Sequence, residues 1–423
     1  MVTPPYRVVG PFESADFREL RRRMMFDYFK WDPQVGDACT IGSFAVALRP
    51  EIWRELTAAA EALAAEMEAA ETELLDRPEL HRNLGLPTPI RKLLRNSAAG
   101  SPSPAAARVI RFDFHFTPEG WRISEANSDV PGGFNEAEGL ARWVAERYPG
   151  LAPCGDPGDA LAREVAAGLD PAAGVVALVH ATAYTDDRQV MLHLARSLEA
   201  LGYRPALAAP DQIRIDSGKL RIVRASPSCP DSNEPVLAAL RFFPGEWLIH
   251  LNRTGDWAFW FRGSPVGLCN PGRALLSQTK RFPLVWDRLK TPMSAWRRYL
   301  PPTKDPREVS AGADEWILKP AWGRVGEGIG MPGVTAPDIL RKQRRVVRRD
   351  PSAWVIQKRF EAIPLDVAGD PWTLCLGVYT VQGRAAGAYG RAARSPLIAS
   401  TACDVAVLVE TEERTNGEVP HAP

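Results

Sequence analysis

Cysteine pairs of the CxxC type are missing from the 423-residue sequence, whose six cysteines lie far apart. Their absence excludes a zinc-ribbon spacing and a thioredoxin-like redox motif. A chain of this length does not need disulfides to stabilise its core, so free thiols and a cytoplasmic location are predicted. The first residues, MVTPPYRVVGPFES, contain no apolar run typical of a secretory signal peptide, which favours the same location.

Long apolar runs and an excess of either charge are missing as well. No run approaches the ~18 to 20 apolar residues of a membrane-spanning helix, so no membrane segment is predicted. The 52 Lys and Arg residues almost balance the 51 Asp and Glu residues, for a net charge of +1. This balance gives no reason to expect a nucleic-acid partner. The most basic stretch, RKQRRVVRR at residues 341–349, is typical of a solvated helix face.

The patterns that are present indicate a mixed fold of class α/β with additional α+β elements. Helices are predicted at residues 14–30 and 50–76, the second because it is rich in Ala, Glu and Leu. The run AGVVALVHA at residues 173–181 is typical of a buried strand, and a helical segment and a second strand at residues 204–210 follow it. Such a βαβ unit usually belongs to a parallel sheet.

The most informative stretch is RVIRFDFHFTPEGWRISEANSDVPGG, residues 108–133. Arg111 and Asp113 alternate with phenylalanines, and this period of two predicts a strand. A partner strand follows at residues 121–127. We expect a three-residue loop that ends at Gly120, because such loops place a left-handed residue last. That loop pairs Thr117 with Trp121.

Counting back from the loop predicts that several side-chain oxygen atoms lie on one face of this hairpin. Asp113 falls opposite Glu125, and Arg111 falls opposite Asn127. Opposed carboxylates repel each other unless a cation lies between them. Two carboxylates and an amide oxygen are hard ligands that suit Mg²⁺. The alternative is a solvated polar face on which Arg111 neutralises both acids.

A second group of residues suggests a phosphate site. In WILKPAWGRVGEGIG, residues 316–330, Lys319 ends a strand and a loop punctuated by glycines follows. Glycines let backbone N–H groups approach phosphate oxygens, and a lysine adds a point charge. The lysine precedes the glycines, so this is not a Walker A loop. Upstream, Lys280 is predicted early in a helix. The alternatives are a mobile surface hairpin and an ordinary solvated lysine.

Six stretches, in order, resemble the glutathionylspermidine synthetase family, a branch of the ATP-grasp ligases. They are RFDFHFTPEGWRISEANSDVPGG, LRFFPGEWL, QTKRFPLVWDRL, ILKPAWGRVGEGI, VIQKRFEAIPL and GAYGRAARSPLIAS. Six ordered matches are much harder to obtain by chance than one. In most ATP-grasp enzymes the nucleotide lysines precede the metal carboxylates, whereas this branch has the permuted order that Asp113, Glu125, Lys280 and Lys319 follow here.

The resemblance implies an ATP-grasp-like fold with a helical N-terminal region and a central βαβ, pre-ATP-grasp-like module. The predicted domains are a mainly helical region at 1–107, a metal-binding hairpin plus α/β module at 108–270, an ATP-grasp nucleotide-binding lobe at 271–410 and a tail at 411–423 whose polar composition predicts disorder.

The resemblance also implies a role for each motif residue. The implied Mg²⁺ ligands are Asp113, Glu125 and Asn127. The implied catalytic residues are Arg111 and Arg391, at the transferred phosphate and the acyl-phosphate centre. The implied nucleotide-binding residues are Lys280, Lys319, Gly323, Gly326, Gly328 and Gln357.

The predicted function is that of an ATP-dependent carboxylate–amine ligase that uses ATP and Mg²⁺ and releases ADP and phosphate. Its substrates are expected to be a small carboxylate and an amine of the amino acid, peptide or polyamine class. Two alternatives stay open: an ATP-grasp-like kinase without an amine acceptor, and a catalytically silent nucleotide-binding protein. The loop WGRVGEG and the segment STACDVAVLVE depart from the family pattern, so neither substrate is identified. The oligomeric state is also open.

Overall fold

A computed structural model describes residues 3–96, 107–223, 235–251, 256–309, 314–324 and 326–411. The predicted disordered tail, apart from its first residue, lies outside these ranges, and so do Cys229 and Val325. None of the described helices is long and apolar enough to cross a lipid bilayer.

Helices and strands alternate along most of the described chain. The α-helices are α1 Ser14–Asp27, α2 Pro50–Leu75, α3 Thr88–Arg95, α4 Phe134–Arg147, α5 Pro157–Ala166, α6 Thr185–Ala200, α7 Phe259–Arg262, α8 Leu275–Gln278, α9 Ser294–Tyr299 and α10 Pro337–Arg349. Short 3-10 helices span Pro78–Leu80, Pro210–Gln212, Gly245–His250, Gly272–Ala274, Phe282–Arg288 and Pro351–Ala353. The strands are β1 Tyr6–Val9, β2 Gln34–Val35, β3 Ala38–Cys39, β4 Ile41–Leu48, β5 Val109–Thr117, β6 Gly120–Asn127, β7 Leu151–Pro153, β8 Val175–His180, β9 Pro205–Ala208, β10 Ile213–Asp216, β11 Lys219–Ile222, β12 Val236–Phe242, β13 Gly267–Cys269, β14 Thr303–Lys304, β15 Trp316–Pro320, β16 Trp354–Lys358, β17 Leu365–Val367, β18 Asp370–Val381, β19 Arg384–Ala393 and β20 Cys403–Glu410.

A nine-stranded sheet forms the centre of the molecule. Its main path runs β1-β4-β20-β19-β18-β5-β6, and β17 and β7 pair with β18 and β20. The pairing of β4 with β20 is parallel, whereas the other pairings are antiparallel. The sheet therefore joins strands from both ends of the described chain to the hairpin β5–β6.

The two faces of this sheet differ in chemistry, because successive side chains of a strand point to opposite faces. One face carries apolar side chains such as Phe112, Phe114 and Leu376, which pack in the same buried cluster as the apolar stripe of α2. A proline in the first turn favours the start of α2. The stripe forms because Ala and Leu recur along the helix at helical spacing. The opposite face carries Arg111, Asp113 and their neighbours, and it forms the wall of the candidate site.

A four-stranded parallel sheet, in the order β13-β12-β8-β9, forms a second module. Strands β8 and β9 with helix α6 are the predicted βαβ unit, and their pairing is parallel as expected. The chain then returns to the other side of β8, where β12 pairs with it in parallel. The strand order therefore reverses between β8 and β12.

A small antiparallel sheet, in the order β14-β16-β15, lies next to helix α10. Apolar residues Leu318, Leu340, Val347 and Ile356 join the sheet to this helix in one buried cluster. The other face of the sheet carries Lys319. The glycine-punctuated loop follows β15, and a single antiparallel bridge between Leu318 and Gly330 joins its far end to β15.

The hairpin β5–β6 has the predicted register at its functional end. Asp113 lies opposite Glu125, and Arg111 lies opposite Asn127. These four side chains therefore meet on one face of the sheet, as the alternation of polar and apolar residues indicated.

The turn of this hairpin differs from the prediction. Thr117 pairs with Gly120, not with Trp121, so the loop has two residues and not three. The register is restored by a β-bulge, which leaves Ser124 as the extra residue on the second strand. The predicted loop was one residue too long, and the bulge compensates for that one residue.

The local structure around Lys280 also differs from the prediction. Lys280 lies in a turn between α8 and the 3-10 helix Phe282–Arg288, not early in a helix. A tertiary contact holds the turn, because the backbone N–H of Lys280 donates to the carbonyl of Ala321 at 3.0 Å. The segment is thus tied to the end of β15, which carries Lys319.

Candidate functional site

The centre of the site is a buried ion pair between neighbouring side chains of β5. Arg111 Nε donates to Asp113 Oδ1 at 2.7 Å, and Nη2 donates to Oδ2 at 2.9 Å. The two residues are only 8% and 6% exposed. Such a two-pronged contact fixes the plane of the carboxylate as well as its charge.

The position of Arg111 depends on residues far away in the sequence. Its Nη1 donates to the carbonyl of Gly132 at 2.9 Å, and its guanidinium carbon lies 5.3 Å from the centre of the Tyr389 ring. Gly377, on the adjacent strand β18, makes room for its side chain. A Cβ atom at Gly377 would lie 2.8 Å from Arg111 Cδ and 2.8 Å from Tyr389 Cε1.

Glu125 lies between two lysines that come from separate parts of the chain. Lys280 Nζ lies 3.0 Å from Glu125 Oε2 and donates to the carbonyl of Gly323 at 2.6 Å. Lys319 Nζ donates to the carbonyl of Ser124, the bulged residue, at 2.9 Å. The bulge thus presents a backbone oxygen to Lys319 directly beside Glu125.

These charges shift one another's pKa values. Burial alone would raise the pKa of Glu125, but Lys280 and Lys319 lower it to about 2. Burial lowers the pKa of Lys319 to about 8, with a further contribution from Lys280, and Glu125 offsets only part of the shift. An anion that binds beside Lys319 would raise this pKa again and favour the charged lysine.

The oxygen ligands of the hairpin fit a magnesium ion that is shared with a substrate. Among the described residues no three acidic, histidine or cysteine side chains come together as a metal cage. Asp113 and Glu125 supply two carboxylates on adjacent strands, and Asn127 Nδ2 lies 3.3 Å from Asp113 Oδ2. One or two carboxylates plus substrate phosphates are what Mg²⁺ usually takes. The residues present fit that coordination.

Arg391 extends the charged surface along strand β19. It lies opposite Cys375 on β18 and opposite Asp404 on β20. Its Nη2 donates to the carbonyl of Ala399 at 2.6 Å, so the segment after β19 folds back over the side chain. Arg391 thus adds a guanidinium to the face that carries Asp113.

A cavity of about 350 Å³ opens over this face. Its polar lining includes Asp113, Glu125, Lys319 and Arg391. Its apolar lining includes Ile317, Ile329, Met331, Phe360, Pro364, Pro396, Leu397 and Ile398. The lining therefore combines charged and apolar side chains, which suits a ligand with a phosphate chain and a flat apolar ring.

The comparison with known families agrees with this geometry. Residues 25–410 match the model of the family described as "Glutathionylspermidine synthase preATP-grasp". The chain belongs to this family. Membership confirms the family resemblance predicted from the six sequence motifs. It also indicates ATP-dependent ligase activity, use of ATP and small-molecule substrates.

A solved structure shares the fold. It is that of a glutathione synthetase-like effector from Globodera pallida, in its apo form, with a TM-score of 0.60 and 14% sequence identity. The alignment covers 94% of this chain and 99% of that chain. At such low identity the likeness shows the fold alone, and it confirms the predicted mixed α/β class. No curated protein sequence matches this chain significantly.

Within this member of the glutathionylspermidine synthase preATP-grasp family, the predicted site residues fall into three groups. Asp113, Glu125, Lys319, Gly326 and Arg391 line the large cavity. Lys280 and Gln357 border a smaller cavity of about 30 Å³, which Glu125 and Lys319 also line. Among the described residues, Arg111, Asn127, Gly323 and Gly328 are not part of the large cavity's lining.

Gln357 and Arg111 are placed differently from their implied roles. Gln357 Nε2 donates to Thr303 Oγ1 at 3.0 Å within the small sheet, so its side chain does not face the large cavity. Arg111 lies behind Asp113 and uses its nitrogens on that carboxylate and on Gly132. Its guanidinium therefore holds Asp113 in place, whereas Arg359 and Arg391 are the arginines among the residues that line the cavity.

Sequence reasoning did not find several residues that shape the site. They are Gly377, Ser124, Asp129, Arg241, Glu246 and Arg324, together with Lys30, Glu136 and Asp404. Most of these residues form ion pairs with partners more than 70 residues away in the sequence, and no local pattern reveals such pairs. The motif LRFFPGEWL was noted, but nothing in its spacing indicated a partner for Glu246.

Proposed function

We propose that this protein is an ATP-dependent carboxylate–amine ligase that forms an amide through an acyl phosphate. The observation that carries the proposal is the joint lining of one cavity by Asp113, Glu125, Lys319 and Arg391, which come from four different strands. Such a set neutralises anionic reactants that would otherwise repel each other.

The proposed reaction has two steps. An oxygen of the substrate carboxylate attacks the γ-phosphorus of ATP, the bond to the bridging oxygen breaks, and ADP leaves. The amine then attacks the carbonyl carbon of the acyl phosphate, loses a proton and displaces phosphate. The products are the amide, ADP and phosphate. This sequence needs no protein nucleophile, because the phosphoryl group itself activates the carboxylate.

Each cavity residue has a proposed part in these steps. Lys319 binds the phosphate chain together with Lys280. Mg²⁺ held by Asp113 and Glu125, with Asn127 beside them, would neutralise phosphate oxygens. The Gly326 backbone approaches the ligand, since its left-handed conformation, with a φ of +72°, suits glycine.

Arg391 is proposed to stabilise the charge that develops at the acyl-phosphate centre. It lines the cavity on the same sheet face as Asp113, and its side chain is held by the carbonyl of Ala399. Arg111 is proposed to position Asp113, since two of its nitrogens bind that carboxylate. The apolar side chains of the cavity lining, such as Ile317 and Met331, are proposed to contact the adenine ring.

Trapping with hydroxylamine tests the proposal. The protein is incubated with ATP, Mg²⁺ and pools of small carboxylates, with hydroxylamine in place of the amine. An acyl phosphate gives a hydroxamate together with an equal amount of ADP, and a protein with Arg391→Ala gives far less. ADP formation without hydroxamate would favour a kinase, and AMP formation would contradict the mechanism. No nucleotide turnover with any pool would favour a silent nucleotide-binding protein.

A further inference from the structure

The two carboxylates assigned to the metal are already paired with cations of the protein itself. Both oxygens of Asp113 accept hydrogen bonds from Arg111, at 2.7 and 2.9 Å. The Oε2 atom of Glu125 lies 3.0 Å from the ammonium nitrogen of Lys280. A divalent metal needs the negative charge and the lone pairs of these same oxygens, so the protein's own cations compete with it.

The two competing cations differ in how firmly they are held. Arg111 is fixed by two hydrogen bonds to Asp113 and by a third to the carbonyl of Gly132. The ammonium group of Lys280, by contrast, ends a flexible chain of four carbons and acts as a point charge. Lys280 can therefore leave Glu125 by rotating its side chain, whereas Arg111 stays on Asp113.

Glu125 is the more accessible of the two carboxylates. Its side chain is 23% exposed, whereas that of Asp113 is 9% exposed. Among the described residues, Glu125 lines both the large and the small cavity, and Lys280 lines only the small one. A ligand in the large cavity therefore meets Glu125 while that carboxylate is still paired with Lys280.

Cations outnumber carboxylates in this part of the molecule. At neutral pH four cations face two carboxylates, which leaves an excess of two positive charges. The cations are Arg111, Lys280, Lys319 and Arg391, and the carboxylates are those of Asp113 and Glu125. A divalent ion that arrives alone adds to this excess, whereas the phosphate chain of ATP offsets it. The nucleotide-free site therefore attracts the nucleotide and repels a free metal ion.

We propose that Lys280 keeps a divalent metal out of the nucleotide-free site by occupying Glu125, so that the metal enters with the nucleotide and not before it. The inference rests on the metal and phosphate assignments of the proposed function and adds an order of binding to them. The phosphate chain draws the ammonium group of Lys280 away from Glu125, and the freed carboxylate then joins Asp113 as a ligand. Metal binding and nucleotide binding are thus coupled through the side chain of Lys280.

Binding of Mn²⁺ to the nucleotide-free full chain tests the inference without any turnover. Electron paramagnetic resonance measures the free ion, because bound Mn²⁺ loses its sharp signal. Lys280→Met is expected to bind Mn²⁺ at least about tenfold more tightly than the original protein, since a like charge a few ångströms away is removed. Lys280→Arg keeps a cation and is expected to gain nothing. Lys290→Met, which removes an exposed lysine further along the chain, is the matched control and should also gain nothing.

Two further variants complete the comparison. Lys280→Met combined with Glu125→Gln is expected to lose the gained affinity, because the carboxylate that Lys280 occupied is gone. If Lys280→Met does not fold, as judged by thermal unfolding, Lys280→Gln takes its place. The inference is overturned if the original protein binds Mn²⁺ as tightly as Lys280→Met, if the single variant gains nothing, or if the double variant keeps the affinity.

The outcome is separable from that of the ligase proposal. A gain of Mn²⁺ binding that needs Glu125 supports the role of Lys280, even if no hydroxamate is ever trapped. Hydroxamate formation by the original protein, without any gain of Mn²⁺ binding in Lys280→Met, supports the ligase and overturns the role of Lys280.

Discussion

Lys319 is expected to make ATP binding depend on pH. Its pKa is lowered to about 8 by burial, and a bound phosphate chain would raise it again. Raising the pH through 8 therefore removes the proton from the free protein and weakens ATP binding, since only the protonated lysine attracts the phosphates.

We expect ATP binding at pH 8 to take up about half a proton through Lys319. Calorimetry in buffers of different ionisation enthalpy measures this uptake. Lys319→Met should abolish it and weaken ATP binding, whereas Lys358→Met, an exposed lysine on β16, should leave both unchanged. Uptake that persists in Lys319→Met would mean that another group titrates.

Arg391 should separate catalysis from nucleotide binding. Its guanidinium lines the cavity on the face of Asp113, where the proposed acyl phosphate would develop charge. Arg391→Ala is expected to lower kcat about 10²- to 10³-fold, as losses of charge-stabilising donors usually do, with little change in the Kd for ATP. Arg394→Ala, an exposed arginine that follows β19 closely, is the control. An equal loss in kcat and ATP affinity would contradict the assigned role.

Gly377 allows strands β5, β18 and β19 to pack closely, because side chains from β5 and β19 lie directly over its Cα. A Cβ there would meet both Arg111 and Tyr389 at 2.8 Å. Gly377→Ala is expected to cost about 1 to 3 kcal/mol of unfolding free energy and to lower turnover by displacing Arg111 and, with it, Asp113.

Gly174→Ala, directly before β8 in the four-stranded sheet, is the comparison for Gly377→Ala. Its Cβ would collide with the carbonyl oxygen of Pro235, and none of the residues it would meet lines the large cavity. It should lose stability in chemical denaturation without a matching loss of turnover by the folded protein. If both variants lose turnover equally, Gly377 has no special part in placing Arg111.

The hairpin β5–β6 shows what could and could not be predicted for an element. The alternation of charged and apolar residues predicted the strand, and counting from the turn placed Asp113 opposite Glu125. The loop length was wrong, and the bulge at Ser124 was not foreseen. The carbonyl of Ser124 binds Lys319, which lies almost 200 residues away, so the bulge belongs to a tertiary contact that local sequence does not encode.

The turn at Lys280 was missed for a related reason. Its sequence favours helix locally, but its backbone N–H binds Ala321 and its side chain binds Glu125 and Gly323. These long-range contacts outweigh local propensity. The residue types of the site could thus be predicted from motifs, whereas their precise pairing required the fold.

For the whole molecule, the central sheet brings together strands that are far apart in sequence. Strand β18 pairs with β5 more than 250 residues earlier, and β20 pairs with β4 at the opposite end of the described chain. Ordered motifs predicted the family and the mixed α/β class, but no periodicity could predict these pairings. The division into domains at residues 107, 270 and 410 stays a prediction, and the nine-stranded sheet draws strands from each of the first three ranges.

The central claim is that one cavity joins a carboxylate to an amine through an acyl phosphate, and oxygen transfer tests it most directly. The carboxylate identified by hydroxamate trapping is labelled with ¹⁸O in both oxygens and incubated with ATP, Mg²⁺ and the amine. Attack by that carboxylate on the γ-phosphorus carries one labelled oxygen into the released phosphate, and ADP is the nucleotide product. Phosphate without label, or AMP with pyrophosphate as products, would contradict the account.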